Sequence, residues 1–268
     1  RRTAFLLGPL FAAGILTTFA FETGFRVILA VAAAFGFAAT LTQHFLYDAS
    51  EDSLGKSFEG VSTVVADLRS MPEELRPLLV ADTLVRFGNG MVYVFFVIVV
   101  TEFLSVGVRL PLVGSLSPDA YFGVLLAIEM LVALLIMLPV SRLSRRIGLK
   151  PVVALGFSVY AVFPVLLINA PENAGVLALL FALSGLRFAG LPAHKALIVG
   201  PAEAGTGGRV TGAYYLVRNV VVIPSAAVGG AIYAVSPVTA FSVATGVGLV
   251  GLALFVVFGR EFEAAVAG

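Results

Sequence analysis

The sequence predicts an all-α membrane protein, built as a bundle of transmembrane helices. Hydrophobic residues make up 59% of its 268 residues and charged residues only 12%, whereas a soluble domain carries about 25% charged residues. The mean hydropathy is +1.04. So few charges cannot cover the surface of a soluble enzyme or keep a chain disordered. The apolar runs are also continuous, and longer than the ~10-residue alternating strands of an outer-membrane barrel.

Eight segments approach the roughly 20 apolar residues that a helix needs to cross a bilayer. The predicted spans are Thr3–Phe21, Val27–Tyr47, Leu78–Phe103, Ala120–Val140, Pro151–Asn169, Ala174–Val199, Val210–Ala234 and Pro237–Gly259. Pro192 and Pro224 interrupt two of them, which membrane helices tolerate where the backbone lines a cavity or packs on a neighbour.

The connections between these spans are mostly short. Ser117 followed by Pro118 has the pattern of a helix N-cap with proline in the first turn. The longest connection is Asp48–Pro77. Within it, one apolar stripe at helical spacing predicts an amphipathic helix on the membrane surface, with a solvated linker helix as the alternative. The stripe consists of Val61, Val64, Val65 and Leu68.

The basic residues predict the orientation. Most of the 17 Lys and Arg residues fall on the side of Arg1 and Arg2, and only Arg26 and Arg109 lie in loops on the other side. Because short cytoplasmic loops are enriched in Lys and Arg, we expect both ends of the chain to be cytoplasmic, in a cytoplasmic membrane.

A weak internal repeat relates the first two spans to the last two. At one constant shift, Gly14 aligns with Gly230 and Phe25 with Phe241. Parallel repeats of six helices would give twelve. We therefore expect a fragment that lacks four preceding helices, although Arg1-Arg2 before an apolar run also has the pattern of a signal peptide.

Several motifs, in their order and spacing, resemble the major facilitator superfamily of transporters. Gly8–Gly14 resembles the Gly-Pro motif of the family's proton-coupled antiporters, with Ala12 and Ala13 in place of glycines. Ser141–Pro151 resembles its loop motif. Gly185–Ile198, followed by Gly208–Asn219, resembles the tenth to eleventh helix region of its drug–proton antiporters.

The loop motif is degenerate here. Its matching residues are Arg146, Gly148 and Lys150, whereas Ser141, Arg145 and Leu149 depart from it. Arg145 replaces the family's acidic residue, which puts a gating salt bridge at this loop in doubt.

The resemblance implies three regions. Residues 1–47 would be the last two helices of the amino-terminal half, 48–77 the linker between halves, and 78–268 the six-helix carboxy-terminal half. It implies alternating access and proton-coupled export of a drug-like or amphipathic solute, by a monomer without cofactor. Uptake of a small metabolite by proton symport is the alternative within this class. An intact eight-helix intramembrane enzyme or a scaffold is the alternative outside it, although polar residues are spread too thinly to favour an enzyme.

Charges inside membrane spans are costly, and they mark functional sites by default. Asp82, Arg86, Asn89 and Tyr93 lie on one face of the third span, which should therefore face protein or water. The Asp82–Arg86 pair could also satisfy only itself. Glycines on both sides of Asn89, Gly88 and Gly90, could loosen the helix.

Glu129 and Arg187 lie near the middle of their spans. An unpaired carboxyl group at this depth would hold a proton, because burial disfavours its charged form. Glu129 is therefore the candidate proton-coupling residue, with a buried neutral acid as the alternative. Arg187 stays charged and needs a partner, which could be Glu129 or an anionic substrate. The two could also form a fixed structural pair.

Arg218 is the third charged residue of the predicted cavity. With Tyr215 and Asn219 it could line the cavity, or it could close the cytoplasmic end by pairing with Asp82. His194 has the pattern of a helix-interface residue. With two His and no Cys, we predict no metal site, and the dispersed basic residues predict no nucleic-acid surface.

Overall fold

The computed structural model describes residues 2–48, 60–110, 114–188, 190–200 and 207–261. In these ranges the chain is almost entirely helical. The helices are α1 Arg2–Thr18, α2 Phe21–Leu46, α3 Val61–Arg69, α4 Leu75–Val92, α5 Phe96–Ile98, α6 Pro118–Ile147, α7 Leu149–Ile168, α8 Ala174–Gly185, α9 Leu191–Val199, α10 Gly207–Val222, α11 Ser225–Val235 and α12 Pro237–Phe258. Two short strands, β1 Val108–Leu110 and β2 Gly114–Leu116, form an antiparallel hairpin between α5 and α6.

The predicted bundle of membrane helices is confirmed. Seven of the eight predicted spans correspond to segments long and apolar enough to cross a membrane, within the ranges that the structure describes. The first is shorter than expected, since α1 has 17 residues, close to the lower limit for a span. The hairpin β1–β2 was not predicted.

Three of the spans are broken helices. Leu75–Phe103 contains a 3₁₀ turn at Tyr93–Phe95 and ends in a π-helical segment at Val99–Phe103, and Ala174–Val199 contains a 3₁₀ turn at Leu186–Phe188. In Gly208–Val235, helix α10 ends at Val222 and α11 follows Pro224. Proline has no N–H to donate, so this interruption agrees with the sequence.

Glycines set the contacts around α4 and α12, which pack against each other at the centre of the described bundle. A Cβ atom at Gly88 would lie 2.5 Å from the carbonyl oxygen of Ala244, and one at Gly251 would lie 2.8 Å from that of Ala81. Gly90 in turn faces α11, where a Cβ atom would meet the side chain of Ser225. Helix α4 continues to Val92, and its glycines serve close packing against α12 and α11.

The first two helices join the bundle through α1. Helix α2 packs on α1, and α1 packs along α6, where a Cβ atom at Gly123 would lie 2.7 Å from the carbonyl oxygen of Pro9. Ala13 is buried in the same contact. The Gly8–Gly14 segment thus contacts the residues of α6 that precede Glu129.

The predicted amphipathic helix is present as α3. Val65 is exposed, and Leu68 packs against the core, whereas the side chains of Val61 and Val64 lie outside the described residues. Helix α3 packs on α10, with Arg209 Nη2 placed 2.9 Å from Asp67 Oδ1. Ser117 accepts a hydrogen bond from the amide of Ala120, which confirms the predicted N-cap of α6.

We predict that Gly229→Ala destabilises the protein and that Gly230→Ala does not. The Cβ atom at Gly229 would collide with the backbone of Met91 on α4, whereas the one at Gly230 would make an ordinary contact 3.8 Å from Phe95. Overpacking of this kind costs about 1–3 kcal/mol. Thermal unfolding of both variants in detergent measures the difference. Equal midpoints would contradict the close α4–α11 contact.

Candidate functional site

A buried ion pair lies near the middle of the bundle. Glu129 on α6 and Arg187 on the turn after α8 are 2% and 4% exposed, and Arg187 Nη2 lies 2.5 Å from Glu129 Oε1. The Ser184 hydroxyl donates a hydrogen bond of 2.7 Å to the same oxygen. Glu129 is therefore not the isolated carboxyl group suggested by the sequence, and it is the partner considered for Arg187.

Aromatic rings surround the guanidinium of Arg187. Its Cζ atom lies 4.9 Å from the ring centre of Phe188, 5.3 Å from Tyr160 and 5.8 Å from Tyr93. Such cation–π contacts stabilise a guanidinium that has left water. These rings, together with Glu129, thus form the immediate surroundings of the buried guanidinium.

A cavity of about 200 Å³ opens beside the ion pair. Its lining is mainly apolar and aromatic, with Glu129 and Arg187 as its charged groups and Tyr93, Phe96 and Phe122 among the rings. Pockets of this composition, with a few converging polar groups, are typical of small-molecule sites.

A second cluster converges on Asp82, which is completely buried on α4. Its carboxylate accepts hydrogen bonds from Arg86 Nε at 2.7 Å and from Arg218 Nη1 at 3.1 Å. The Tyr214 hydroxyl donates a third at 3.2 Å. His194 Nε2 on α9 lies 3.3 Å away but makes no hydrogen bond. Asp82 thereby links α4, α9 and α10.

The predicted polar face of α4 is divided between the two clusters. Asp82 and Arg86 belong to the second cluster, whereas Tyr93 contacts Arg187 in the first. Asn89 is half-buried between them along the helix. The self-contained Asp82–Arg86 pair considered from the sequence does not describe this site, since Arg218, Tyr214 and His194 share the carboxylate.

Arg218 pairs with Asp82, which is one of the two alternatives that the sequence left open for this residue; the other was lining of the cavity. The Asn219 side-chain oxygen accepts hydrogen bonds from Arg218 Nε and Nη2 at 3.2 and 2.9 Å. The ring centre of Tyr215 lies 4.7 Å from Arg218 Cζ. Both residues thus hold Arg218 in place.

Sequence analysis missed Ser184 and Tyr214, and it treated His194 as an interface residue only. The spacing of Tyr214 and Arg218, four residues apart on one helix, places both on the same face and could have identified Tyr214. Ser184 offered no comparable signal, because its partner lies on another helix.

A carboxylate that is distant in the chain binds the end of the degenerate loop motif. Gly148, with φ of +90°, separates α6 from α7, and Arg146 is exposed. The backbone N–H groups of Leu149 and Lys150 donate hydrogen bonds of 2.5 and 3.0 Å to the carboxylate of Glu261. Glu261, which follows α12 and was not predicted, thus satisfies the first amides of α7.

Within the described residues, no group of three or more His, Asp or Glu side chains is placed to hold a metal ion. The two clusters above are instead ion-pair and hydrogen-bond networks.

We predict strong coupling between Glu129 and Arg187 in a double-mutant cycle. Glu129→Gln or Arg187→Met alone leaves one buried charge unpaired, which is strongly destabilising, whereas the double variant removes both charges. Unfolding in detergent mixtures should give a coupling free energy of about 1–3 kcal/mol. The exposed Glu22–Arg26 pair is the control, for which we expect almost none. Additive losses at Glu129 and Arg187 would contradict the contact.

We also predict that Tyr214→Phe destabilises the protein and that Tyr215→Phe has little effect. The first change removes a hydroxyl that donates to buried Asp82, at a cost of about 1–3 kcal/mol, whereas the second keeps the ring that packs on Arg218. Thermal unfolding of the two variants measures the difference. A larger loss of stability for Tyr215→Phe would contradict the described cluster around Asp82.

A comparison with curated proteins finds a distant similarity. This chain is 22% identical over 222 residues to an uncharacterised MFS-type transporter of Methanocaldococcus jannaschii. The match covers 82% of this chain and 52% of the relative, so the chain spans about half the length of the curated protein it matches. No family model matches, and no solved structure does.

Proposed function

We propose that the chain is part of a secondary active transporter of the major facilitator type, which couples proton movement to export of a small amphipathic solute. The observation that carries the proposal is the buried Glu129–Arg187 pair, which lies beside an aromatic cavity in the membrane bundle. A structural ion pair would need no adjoining cavity. The distant similarity to an MFS-type transporter supports the same class.

In this proposal, residues 1–47 are the last helices of the amino-terminal half, 48–77 the linker, and 78–268 the carboxy-terminal half. The packing of α1 along α6 supports a contact between the halves. Positive loop residues support cytoplasmic ends in a cytoplasmic membrane, and transport follows by rocking of the halves around the cavity.

Proton coupling would use the Glu129 carboxyl group. In the described conformation the Glu129 Oε1 oxygen pairs with Arg187 and accepts a hydrogen bond from Ser184. A proton that enters from the cavity and binds the carboxylate would neutralise it and break the ion pair. The aromatic rings around Arg187 would then stabilise the released guanidinium. The change at this pair would be the signal for the halves to rearrange.

The second cluster, around Asp82, would act as a gate on the cytoplasmic side. It joins α4, α9 and α10 through one carboxylate, so separating these helices requires breaking several charged contacts together. Arg86, Asn89, Tyr215, Arg218 and Asn219 would then line or close the pathway.

We predict that Glu129→Gln abolishes transport driven by a pH gradient. The amide resembles the protonated carboxyl group and cannot release a proton. The full-length protein, reconstituted in liposomes, would be assayed with ethidium as the amphipathic probe. Glu172→Gln, a change of an exposed acidic residue before α8, is the control and should keep the flux.

Unchanged gradient-driven flux in Glu129→Gln would contradict the coupling role. If the wild-type protein moves ethidium along the direction of proton entry, the export mechanism is wrong and symport replaces it. If the gradient drives no movement, the drug-export proposal is wrong.

A further inference from the structure

A groove lies on the surface of the bundle between the start of α4 and the end of α12. Its volume is about 470 Å³, which is typical of sites that bind small molecules. Among the described residues, three charged side chains line it, and the rest of its lining is apolar. The charged residues are Glu73, Arg76 and Arg260, and the apolar ones are Pro77, Val80, Leu254 and Phe258.

The charged and apolar residues of this groove lie at different depths. Arg76 is in the first turn of α4, and Arg260 follows the end of α12, so both lie at the ends of apolar spans. Val80 is one turn further into α4 and is 51% exposed, and Leu254 is one turn before the end of α12. In a bilayer, charged side chains at the ends of spans reach the headgroups, whereas apolar side chains exposed further along a span contact acyl chains. The groove thus has the layered arrangement of a phospholipid.

Charged groups of both signs in this groove have no close partner of opposite charge. Within the described part of the chain, Glu73 and Arg76 form no ion pair, and the Arg76 guanidinium donates a hydrogen bond of 3.2 Å to the backbone oxygen of Arg69. Arg260 Nη1 lies 3.7 Å from Glu74 Oε1, which is too far for a hydrogen bond. Two cations and one carboxylate can therefore contact a ligand.

The signs of these charges determine which headgroup fits. A phosphate diester carries one negative charge and accepts hydrogen bonds from arginine side chains, so it complements Arg76 and Arg260. Glu73 would repel a headgroup that is only anionic, such as that of phosphatidylglycerol, but its carboxylate can accept hydrogen bonds from an ammonium group. The nitrogen of choline is cationic but has no N–H to donate. A headgroup that joins a phosphate to a primary amine matches both signs of charge.

From these observations we propose that the groove binds one molecule of phosphatidylethanolamine. Its phosphate contacts Arg76 and Arg260, and its ammonium group pairs with Glu73. Its acyl chains cover the apolar wall that α4 and α12 form below these residues. This inference goes beyond the proposed function, since lipid binding here depends neither on proton coupling nor on the transported solute.

The test is lipid binding to the purified, delipidated full-length protein in detergent, measured by native mass spectrometry. Phosphatidylethanolamine, phosphatidylcholine and phosphatidylglycerol with identical acyl chains would be titrated separately. The first molecule of phosphatidylethanolamine should bind about fivefold more tightly than either other lipid, as one charged contact at a membrane surface allows. Equal affinities for the three lipids, or a preference for phosphatidylglycerol, would overturn the proposal.

Two variants with matched controls assign the headgroup contacts. Glu73→Gln removes the partner of the ammonium group, so the preference for phosphatidylethanolamine over phosphatidylglycerol should disappear. Arg76→Gln removes a partner of the phosphate, so all three lipids should bind about fivefold more weakly. Glu172→Gln and Arg142→Gln change exposed charges outside the groove, and both should keep the affinity and the preference of the wild type.

Two results with these variants would also overturn the proposal. One is a preference for phosphatidylethanolamine that persists in Glu73→Gln. The other is equal weakening by Arg76→Gln and Arg142→Gln, which would show diffuse attraction to positive charge rather than a site. The substituted side chains are all exposed, so the variants should fold, and thermal unfolding checks this. If a variant does not fold, the comparison of the three lipids on the wild type still decides.

Discussion

The interaction on which this bundle depends is the sharing of few carboxylates among more guanidiniums inside a membrane. Asp82 accepts hydrogen bonds from Arg86, Arg218 and Tyr214. Glu129 pairs with Arg187 and accepts a hydrogen bond from Ser184. Buried charges away from water must be paired, so each carboxylate determines which helices meet. Asp82 requires α10 beside α4, and Glu129 requires the turn after α8 beside α6.

Close helix packing makes this arrangement possible. Gly88 and Gly251 let α4 and α12 approach until backbone meets backbone. The hydrophobic effect does not drive association between helices within lipid, and small residues that allow close contact are the usual substitute. The charged groups thus occupy a bundle whose spacing is already set by glycines, which leaves narrow clefts rather than broad solvent-filled gaps.

Breaks in the helices place the charged residues where the sites need them. Arg187 lies on the turn Leu186–Phe188 that separates α8 from α9, and rings from α7 and from the turn itself surround it. Irregular backbone at membrane depth is tolerated where protein surrounds it. A site built on such a turn joins two helical segments, so a change in the charge of its partner can alter their relative position.

The sequence by itself determined the class of fold and the approximate positions of the apolar spans, because long apolar runs, short loops and capping residues are local properties. It also indicated Glu129, Arg187, Asp82 and Arg218, because a charged side chain within an apolar span is conspicuous without any structure. Only the tertiary structure decided how these charges pair. Ser184 and Tyr214 carry no charge, and their roles depend on helices distant in the chain. Likewise, the sequence around Gly88 and Gly90 is compatible with a flexible helix and with a tightly packed one. Only the neighbouring helices show that both glycines lie at close helix contacts.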